Sequence, residues 1–193
     1  MQPIPLRPRG GRQRDLVPLE LHDAIELLLI EDHPGDAELF SEYLAGARFR
    51  CAITHASSLR EAFERMAAIT FDVIVVDLEL PDANGIEVLR TLHGRAPDVP
   101  IVVLTGLDAD DLELDAIREQ AQDYLVKGEI HPQALSRCVL HAVQRSRSHL
   151  SLRALLDRLP DVVVVKNAAG AMLYLNRAAK NLFAAPGDRK SVV

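Results

Sequence analysis

Five short runs of apolar residues recur between residues 25 and 126, and segments with helical spacing separate them. The runs are Glu26–Ile30, Cys51–Thr54, Val73–Val76, Ile101–Leu104 and Tyr124–Val126. Their length and aliphatic content predict strands buried on both faces. The intervening helices are predicted near Pro34–Ala45, Leu59–Ala68, from Gly85, near Asp110–Glu119 and from Pro132. This alternation predicts an α/β fold, a doubly wound sheet of five parallel strands.

Polar side chains that can bind ions or take part in reactions follow four of these runs. Glu31 and Asp32 follow the first run, Asp77 the third, Thr105 the fourth and Lys127 the fifth. The carboxyl ends of parallel strands form the edge of a sheet where ligands bind. Three carboxylates, a hydroxyl and an ammonium are therefore expected to meet, and they indicate a site for a divalent cation and a phosphoryl group.

This ordered set of residues, within about residues 25–147, resembles the receiver domain of two-component response regulators. The resemblance implies a flavodoxin-like strand order, 2-1-3-4-5. It also implies that Asp77 accepts a phosphoryl group from a histidine kinase or a phosphotransfer protein. Thr105 and Lys127 would contact the phosphoryl oxygens, and Tyr124 matches an aromatic residue that rotates inward on activation.

The same resemblance implies Mg²⁺ as the cofactor. Asp32 and Asp77 would bind the ion directly and Glu31 largely through a water molecule, with the backbone carbonyl of Glu79 as a further ligand. Two positions depart from the family pattern. Gly128 stands where a proline usually follows the lysine, and Gln120 stands where many relatives have glycine. Neither departure removes a chemical group, so they bear on switching geometry.

The segments on either side of the receiver-like region differ from it in composition. Residues 1–24 are rich in proline and arginine and predict a disordered tail. Residues 148–160 predict a connector helix with the apolar stripe Leu152, Leu155, Leu156 and Leu159. Residues 161–193 predict a hairpin, Val162–Val165 with Met172–Leu175, and a short helix capped by Asn176. This last segment resembles the opening of a PAS domain, an α+β module that would be truncated here.

Composition limits the function classes. The net charge of −6 argues against a general nucleic-acid or anionic-membrane surface, and no apolar run approaches the length of a membrane span. The two cysteines, Cys51 and Cys138, are expected to be buried, reduced thiols, which fits a cytoplasmic protein. The seven histidines lack the spacing of zinc ligands.

The expected function is that of a signalling phosphoacceptor rather than an enzyme, apart from self-catalysed phosphotransfer and dephosphorylation. An output enzyme such as a diguanylate cyclase or histidine kinase could follow the PAS-like segment. Apolar positions Leu135, Val139 and Ala142, together with the connector stripe, indicate a homodimer through the fifth helix and connector. The alternatives are a haloacid-dehalogenase-like phosphatase, a flavodoxin-like nucleotide binder and a receiver-like module that binds proteins without phosphorylation.

Overall fold

The computed structural model describes residues 24–106 and 121–184. Five parallel strands form its main sheet: β1 (Ile25–Ile30), β2 (Cys51–Ala56), β3 (Val73–Asp77), β6 (Ile101–Thr105) and β7 (Asp123–Val126). Their order, β2-β1-β3-β6-β7, is the flavodoxin-like order expected from the resemblance. A two-residue pair, β4 (Glu79–Leu80) and β5 (Ala83–Asn84), forms a separate small hairpin after β3.

Within the described residues, four helices accompany the main sheet: α1 (Pro34–Ala45), α2 (Leu59–Ala68), α3 (Ile86–Arg95) and α4 (Pro132–Arg158). The bounds of α1 and α2 match the sequence prediction, while several strands extend one or two residues further than predicted. One turn of 3₁₀ helix, Lys127–Glu129, follows β7. The predicted helix near Asp110–Glu119 and the predicted tail up to residue 23 lie outside the described residues.

Two apolar cores, one on each face, explain why the strands read as continuous apolar runs. Alternate strand residues such as Leu28, Ile74 and Val103 pack against α2 and α3. The intervening residues, such as Leu29 and Val75, pack against α1 and the first half of α4. Because side chains alternate across a strand, both faces of β1, β3 and β6 are buried, and the sheet can hold its carboxyl edge rigidly.

Helix α4 is continuous from Pro132 to Arg158, so the expected connector is the second half of the same helix. Leu135, Val139 and Ala142 are fully buried in the core of the monomer. The expectation that these three residues help to form a dimer seam is therefore wrong. They face the sheet. Of the predicted connector stripe, Leu152 and Leu155 on this helix and Leu159 directly after it are exposed, whereas Leu156 is half-buried.

The polar middle of α4 contacts the amino ends of the strands. Arg147 forms an ion pair of 3.0 Å with Asp72, and Arg153 one of 3.4 Å with Asp98. The Ser146 hydroxyl donates a hydrogen bond of 3.2 Å to the Asp98 carbonyl. These contacts explain why the helix carries polar residues between two apolar stretches: it runs along the base of the sheet there.

A small unit follows α4 and consists of the antiparallel hairpin β8 (Val164–Lys166) with β9 (Met172–Leu175) and the helix α5 (Arg177–Ala184). Asn176 is fully buried at its centre. Its Oδ1 accepts hydrogen bonds from the backbone N–H groups of Val163 and Ala179, so the predicted capping role is confirmed. Its Nδ2 donates to the carbonyls of Leu156 and Asp161. One side chain thus fastens the unit to the end of α4.

Replacing Asn176 by alanine is expected to loosen residues 163–184 without affecting the main sheet. The change leaves two N–H groups and two carbonyls without their partner, which costs about 3 kcal/mol locally. Amide hydrogen exchange is expected to accelerate in β8, β9 and α5 and to stay unchanged in β1 and β3. Equal acceleration throughout the chain would contradict this local role.

Two further sequence expectations concern the cysteines and membrane-spanning helices. Cys51 and Cys138 are free thiols, and burial is the main cause that raises the pKa of each to about 12. Cys138 is buried as expected, whereas Cys51 is only partly buried. The raised pKa makes both thiols poor nucleophiles at neutral pH. Within residues 24–106 and 121–184, no helix has the length and apolar content needed to cross a bilayer.

Candidate functional site

Strand register brings the predicted site residues to one edge. Ile30 pairs with Val76 and Asp77 pairs with Leu104, so Glu31 lies level with Asp77. Thr105 pairs with Val126, which places Lys127 one position beyond that pair, directly after the outer strand. Since parallel strands share their direction, the residues that end β1, β3, β6 and β7 converge as the sequence predicted.

Lys127 is the centre of an ion-pair cluster at this edge. Its Nζ lies 2.6 Å from Asp77 Oδ2, 2.7 Å from Glu31 Oε2 and 3.1 Å from Asp36 Oδ2. The contact with Glu31 is an ion pair without hydrogen-bond alignment, so the buried Oε2 has no hydrogen-bond partner. Glu31 is fully buried and Asp77 nearly so, whereas the Lys127 side chain is one-quarter exposed. The ammonium therefore neutralises two buried carboxylates and one outer carboxylate.

Burial and charge act in opposite directions on the pKa values of this cluster. Burial is the largest cause that raises the pKa of Glu31, and it outweighs the nearby Lys127 and the His33 N–H. Desolvation lowers the pKa of Lys127, but the close contacts and charges of the Asp77 and Glu31 carboxylates together raise that pKa. Repulsion by Asp77 contributes least to the shift of Glu31, and burial contributes most.

Glu31, Asp32 and Asp77 together fit a divalent cation. One carboxylate oxygen from each lies within 4.8 Å of the other two. Oxygens bound to one Mg²⁺ at about 2.1 Å are at most about 4.2 Å apart, so small side-chain movements would complete the geometry. The buried Glu31 Oε2, which has no hydrogen-bond partner, supplies an acceptor that such an ion would satisfy. Oxygen donors of this kind suit Mg²⁺.

The loop after Asp77 is held in place at both ends. The N–H of Glu79 donates to Asp77 Oδ1 at 3.1 Å, while the Glu79 side chain is exposed. Gly85 closes the loop with a hydrogen bond of 2.8 Å to the Leu78 carbonyl, in a backbone conformation (φ 57°) that favours glycine. Both oxygens of Asp82 accept backbone N–H groups at the start of α2, those of Leu59 and Arg60.

Thr105 and Tyr124 lie on the same face of the sheet. Thr105 is buried, and its hydroxyl makes one long hydrogen bond of 3.4 Å to the Gly106 carbonyl. Tyr124 pairs with Val103 and packs, half-buried, against the core shared with α2 and α3. Because residues two apart on a strand point to the same side, Thr105 follows Val103 on the face that carries Tyr124. The Lys127–Gly128 peptide bond is trans.

Two acids at this edge were not among the predicted site residues. Asp36, in the first turn of α1, contacts Lys127, and Asp82 ties the loop of Asp77 to α2. For Asp36 the sequence did carry a signal, since it stands four residues after Asp32 in a helix that begins at the same edge. For Asp82 no local pattern reveals the partner, because the contact spans more than twenty residues.

Comparison with known proteins supports the same class. Residues 27–139 match the family of response regulator receiver domains. Over 130 residues the chain is 36% identical to the DNA-binding transcriptional activator DevR/DosR of Mycobacterium tuberculosis, covering 67% of this chain and 59% of that protein. It is 35% identical over 99 residues to the regulatory protein LuxO of Vibrio cholerae, covering 51% of this chain and 21% of that one.

Among solved structures, a response regulator receiver domain protein from Clostridium thermocellum superposes with a TM-score of 0.56 at 25% identity. The superposition covers 65% of this chain and 98% of that one. A parallel sheet with acids at its carboxyl edge, together with a family match over more than half of the sequence, defines the class. The chain belongs to the response regulator receiver family. It spans about three-fifths of the length of DevR/DosR and one-fifth of that of LuxO.

Proposed function

We propose that this protein is a phosphorylation-activated response regulator in which Asp77 is the phosphoacceptor. The observation that carries the proposal is the cluster around Asp77, where a nearly buried carboxylate lies 2.6 Å from an ammonium and beside two further acids. The donor would be the phosphohistidine of a histidine kinase or a phosphotransfer protein. A bond forms between an Asp77 carboxylate oxygen and phosphorus as the bond between phosphorus and the donor nitrogen breaks.

The residues around Asp77 have separate parts in this transfer. Asp32 and Asp77 would hold Mg²⁺, with Glu31 acting largely through water and the Glu79 carbonyl as a further ligand. When bound, this ion would neutralise charge on the transferring phosphoryl group. Lys127, already positioned at Asp77, would pair with a phosphoryl oxygen. The tether from Asp82 to α2 keeps the loop that presents Asp77 and Glu79 in one conformation.

We further propose that Thr105 and Tyr124 convert phosphorylation into a change of shape. The only hydrogen bond of the Thr105 hydroxyl among the described residues is long, so it is weak and easily exchanged for a phosphoryl oxygen. Movement of Thr105 would open space on the face that carries Tyr124, which is half-buried in the adjacent core. That face would then adopt one of two packing arrangements, depending on whether Asp77 is phosphorylated.

The unit after α4 is proposed to be the start of a PAS domain. Its lead-in helix, antiparallel hairpin and short capped helix support this interpretation. Because Asn176 and Asp157 fasten the unit to α4, a movement of that helix would carry the unit with it.

The output controlled by this movement could be an enzyme module or a DNA-binding module, and DevR/DosR is described as a DNA-binding activator. A homodimer through the exposed stripe of α4 is proposed as the active form.

The phosphatase alternative gains no support from the geometry. A second catalytic acid two residues after the nucleophile would have to face the same site, but the Glu79 side chain is exposed. Only its backbone N–H contacts Asp77. A phosphorylation-independent binding module is also less favoured, because all the groups needed for transfer converge around Lys127 and Asp77.

The protein is expected to gain one phosphoryl group when incubated with acetyl phosphate and Mg²⁺. Intact-mass spectrometry would measure the uptake, and chelation of the metal with EDTA is expected to prevent it because the crowded acids then repel the anionic donor. The phosphoryl group is expected to be removed by hydroxylamine, which cleaves acyl phosphates. Absence of any uptake at millimolar donor and metal would contradict the proposed function.

A further inference from the structure

The three carboxylates around Lys127 are not equivalent. An ammonium has three N–H donors, and here three acids lie within 3.1 Å of it: Glu31, Asp77 and Asp36. Glu31 and Asp77 belong to the group of acids that could hold a cation. Asp36 is not part of that group, although it contacts the same ammonium as closely as a hydrogen bond requires.

Asp36 also differs in its surroundings. It lies in the first turn of α1, where the helix dipole stabilises its negative charge. Its side chain is 45% exposed, whereas that of Glu31 is fully buried. The His33 ring lies 3.8 Å away on the solvent side and is itself largely exposed. Asp36 is therefore a hydrogen-bond acceptor at the mouth of the site, on the solvent side of Lys127.

We infer that Asp36 is a positioning residue that withholds Lys127 from the phosphoryl group and so slows phosphorylation of Asp77. The inference rests on the proposed function. When Asp77 becomes an acyl phosphate, the Lys127 N–H group that donated a hydrogen bond to Asp77 donates to a phosphoryl oxygen instead. The transfer does not alter Asp36. Asp36 therefore continues to compete with the incoming phosphoryl oxygens for the same ammonium, and its own charge opposes an anionic donor.

Removing the charge of Asp36 is expected to accelerate phosphorylation by a small anionic donor. With acetyl phosphate and Mg²⁺, Asp36→Asn is expected to be phosphorylated about three- to tenfold faster than the unchanged protein. The gain is limited because the side chain is nearly half exposed. A small donor is used so that docking of a kinase on α1 does not affect the comparison.

Three controls separate local pairing from general effects. Asp36→Glu keeps the carboxylate and is expected to be phosphorylated nearly as slowly as the unchanged protein. Glu42→Gln removes the same charge from an exposed position of α1 and is expected to leave the rate unchanged. Raising the ionic strength to about 0.5 M is expected to narrow the difference between Asp36→Asn and the unchanged protein, because solvent-exposed charges are screened.

The possible results distinguish this inference from the proposed function. If Asp36→Asn is phosphorylated at the rate of the unchanged protein or more slowly, the inference is overturned while Asp77 remains the phosphoacceptor. An equal acceleration in Glu42→Gln would also overturn it, since overall charge would then be the cause. If the unchanged protein takes up no phosphoryl group, both the proposed function and this inference fail.

Discussion

Asp77→Asn is expected to reduce phosphorylation by acetyl phosphate at least about a hundredfold, to the background level. An amide lacks the anionic oxygen that attacks phosphorus, and none of the other acids near Lys127 is expected to replace it. Glu31 is fully buried and is assigned to the metal, and Asp36 lies on the outer side of the ammonium. Initial rates of uptake by intact-mass spectrometry would measure the loss.

The matched control for this change is Asp98→Asn, at the opposite edge of the sheet. Asp98 is exposed, and its side chain pairs with Arg153, far from the carboxyl ends of the strands. The same chemical change is therefore expected to leave the rate of uptake unaltered. Circular dichroism would establish that both variants are folded. Uptake by Asp77→Asn at the rate of Asp98→Asn would show that the phosphoacceptor is another residue.

Phosphorylation is expected to convert the protein from monomer to a two-fold symmetric dimer through the second half of α4. Leu152, Leu155 and Leu159 form a stripe at helical spacing and are 55%, 51% and 44% exposed. A symmetric pair of helices would bury this stripe against its copy. Multi-angle light scattering of the full chain, with and without beryllofluoride and Mg²⁺, would report the change in mass.

Variants of the stripe test where the pairing occurs. Each buried leucine contributes about 1.5–3 kcal/mol, so Leu152→Ser with Leu155→Ser is expected to raise the dimer dissociation constant more than about a hundredfold. Leu182→Ser, at an equally exposed position of α5, is expected to have no effect. Thr105→Ala is expected to accept beryllofluoride and yet dimerise less. A monomeric mass in both states at high micromolar concentration would favour docking to a separate partner.

The main sheet could be predicted from sequence because its signals are local and repeated. Each strand is a run of residues buried on both faces, and each polar residue of the site directly follows such a run. Register then follows from the requirement that Glu31, Asp77, Thr105 and Lys127 stand at the carboxyl ends of four strands that lie side by side. Strand order is different: adjacent apolar runs do not show which strands pair, and the order came from the family resemblance.

Other features depend on contacts that no local pattern contains. Leu135, Val139 and Ala142 have the same spacing as an intermolecular seam, and only packing against the sheet shows that they are core residues. The arginines of α4 resemble a solvated helix face, but Arg147 reaches an aspartate 75 positions earlier in the sequence. The capping role of Asn176 was visible locally, whereas its bonds to Leu156 in α4 and to Asp161 just after that helix span 20 and 15 residues.

The charges around Lys127 illustrate the same limit. The sequence predicted that an ammonium and several acids would meet, because each of these residues follows a strand of the parallel sheet. It did not predict that Asp36 shares the ammonium, because that depends on the direction in which α1 leaves the sheet. Nor did it predict that burial, rather than repulsion among acids, dominates the raised pKa of Glu31. Both depend on the geometry of the assembled edge.

The most direct measurement is the location of the phosphoryl group itself. After incubation with acetyl phosphate and Mg²⁺, reduction with borohydride converts an aspartyl phosphate into homoserine, which marks the residue for peptide mass spectrometry. The expected result is homoserine at position 77 alone. Homoserine at position 32, 36 or 82, or phosphate retained on a serine, threonine or histidine, would contradict the assignment of Asp77 as the phosphoacceptor.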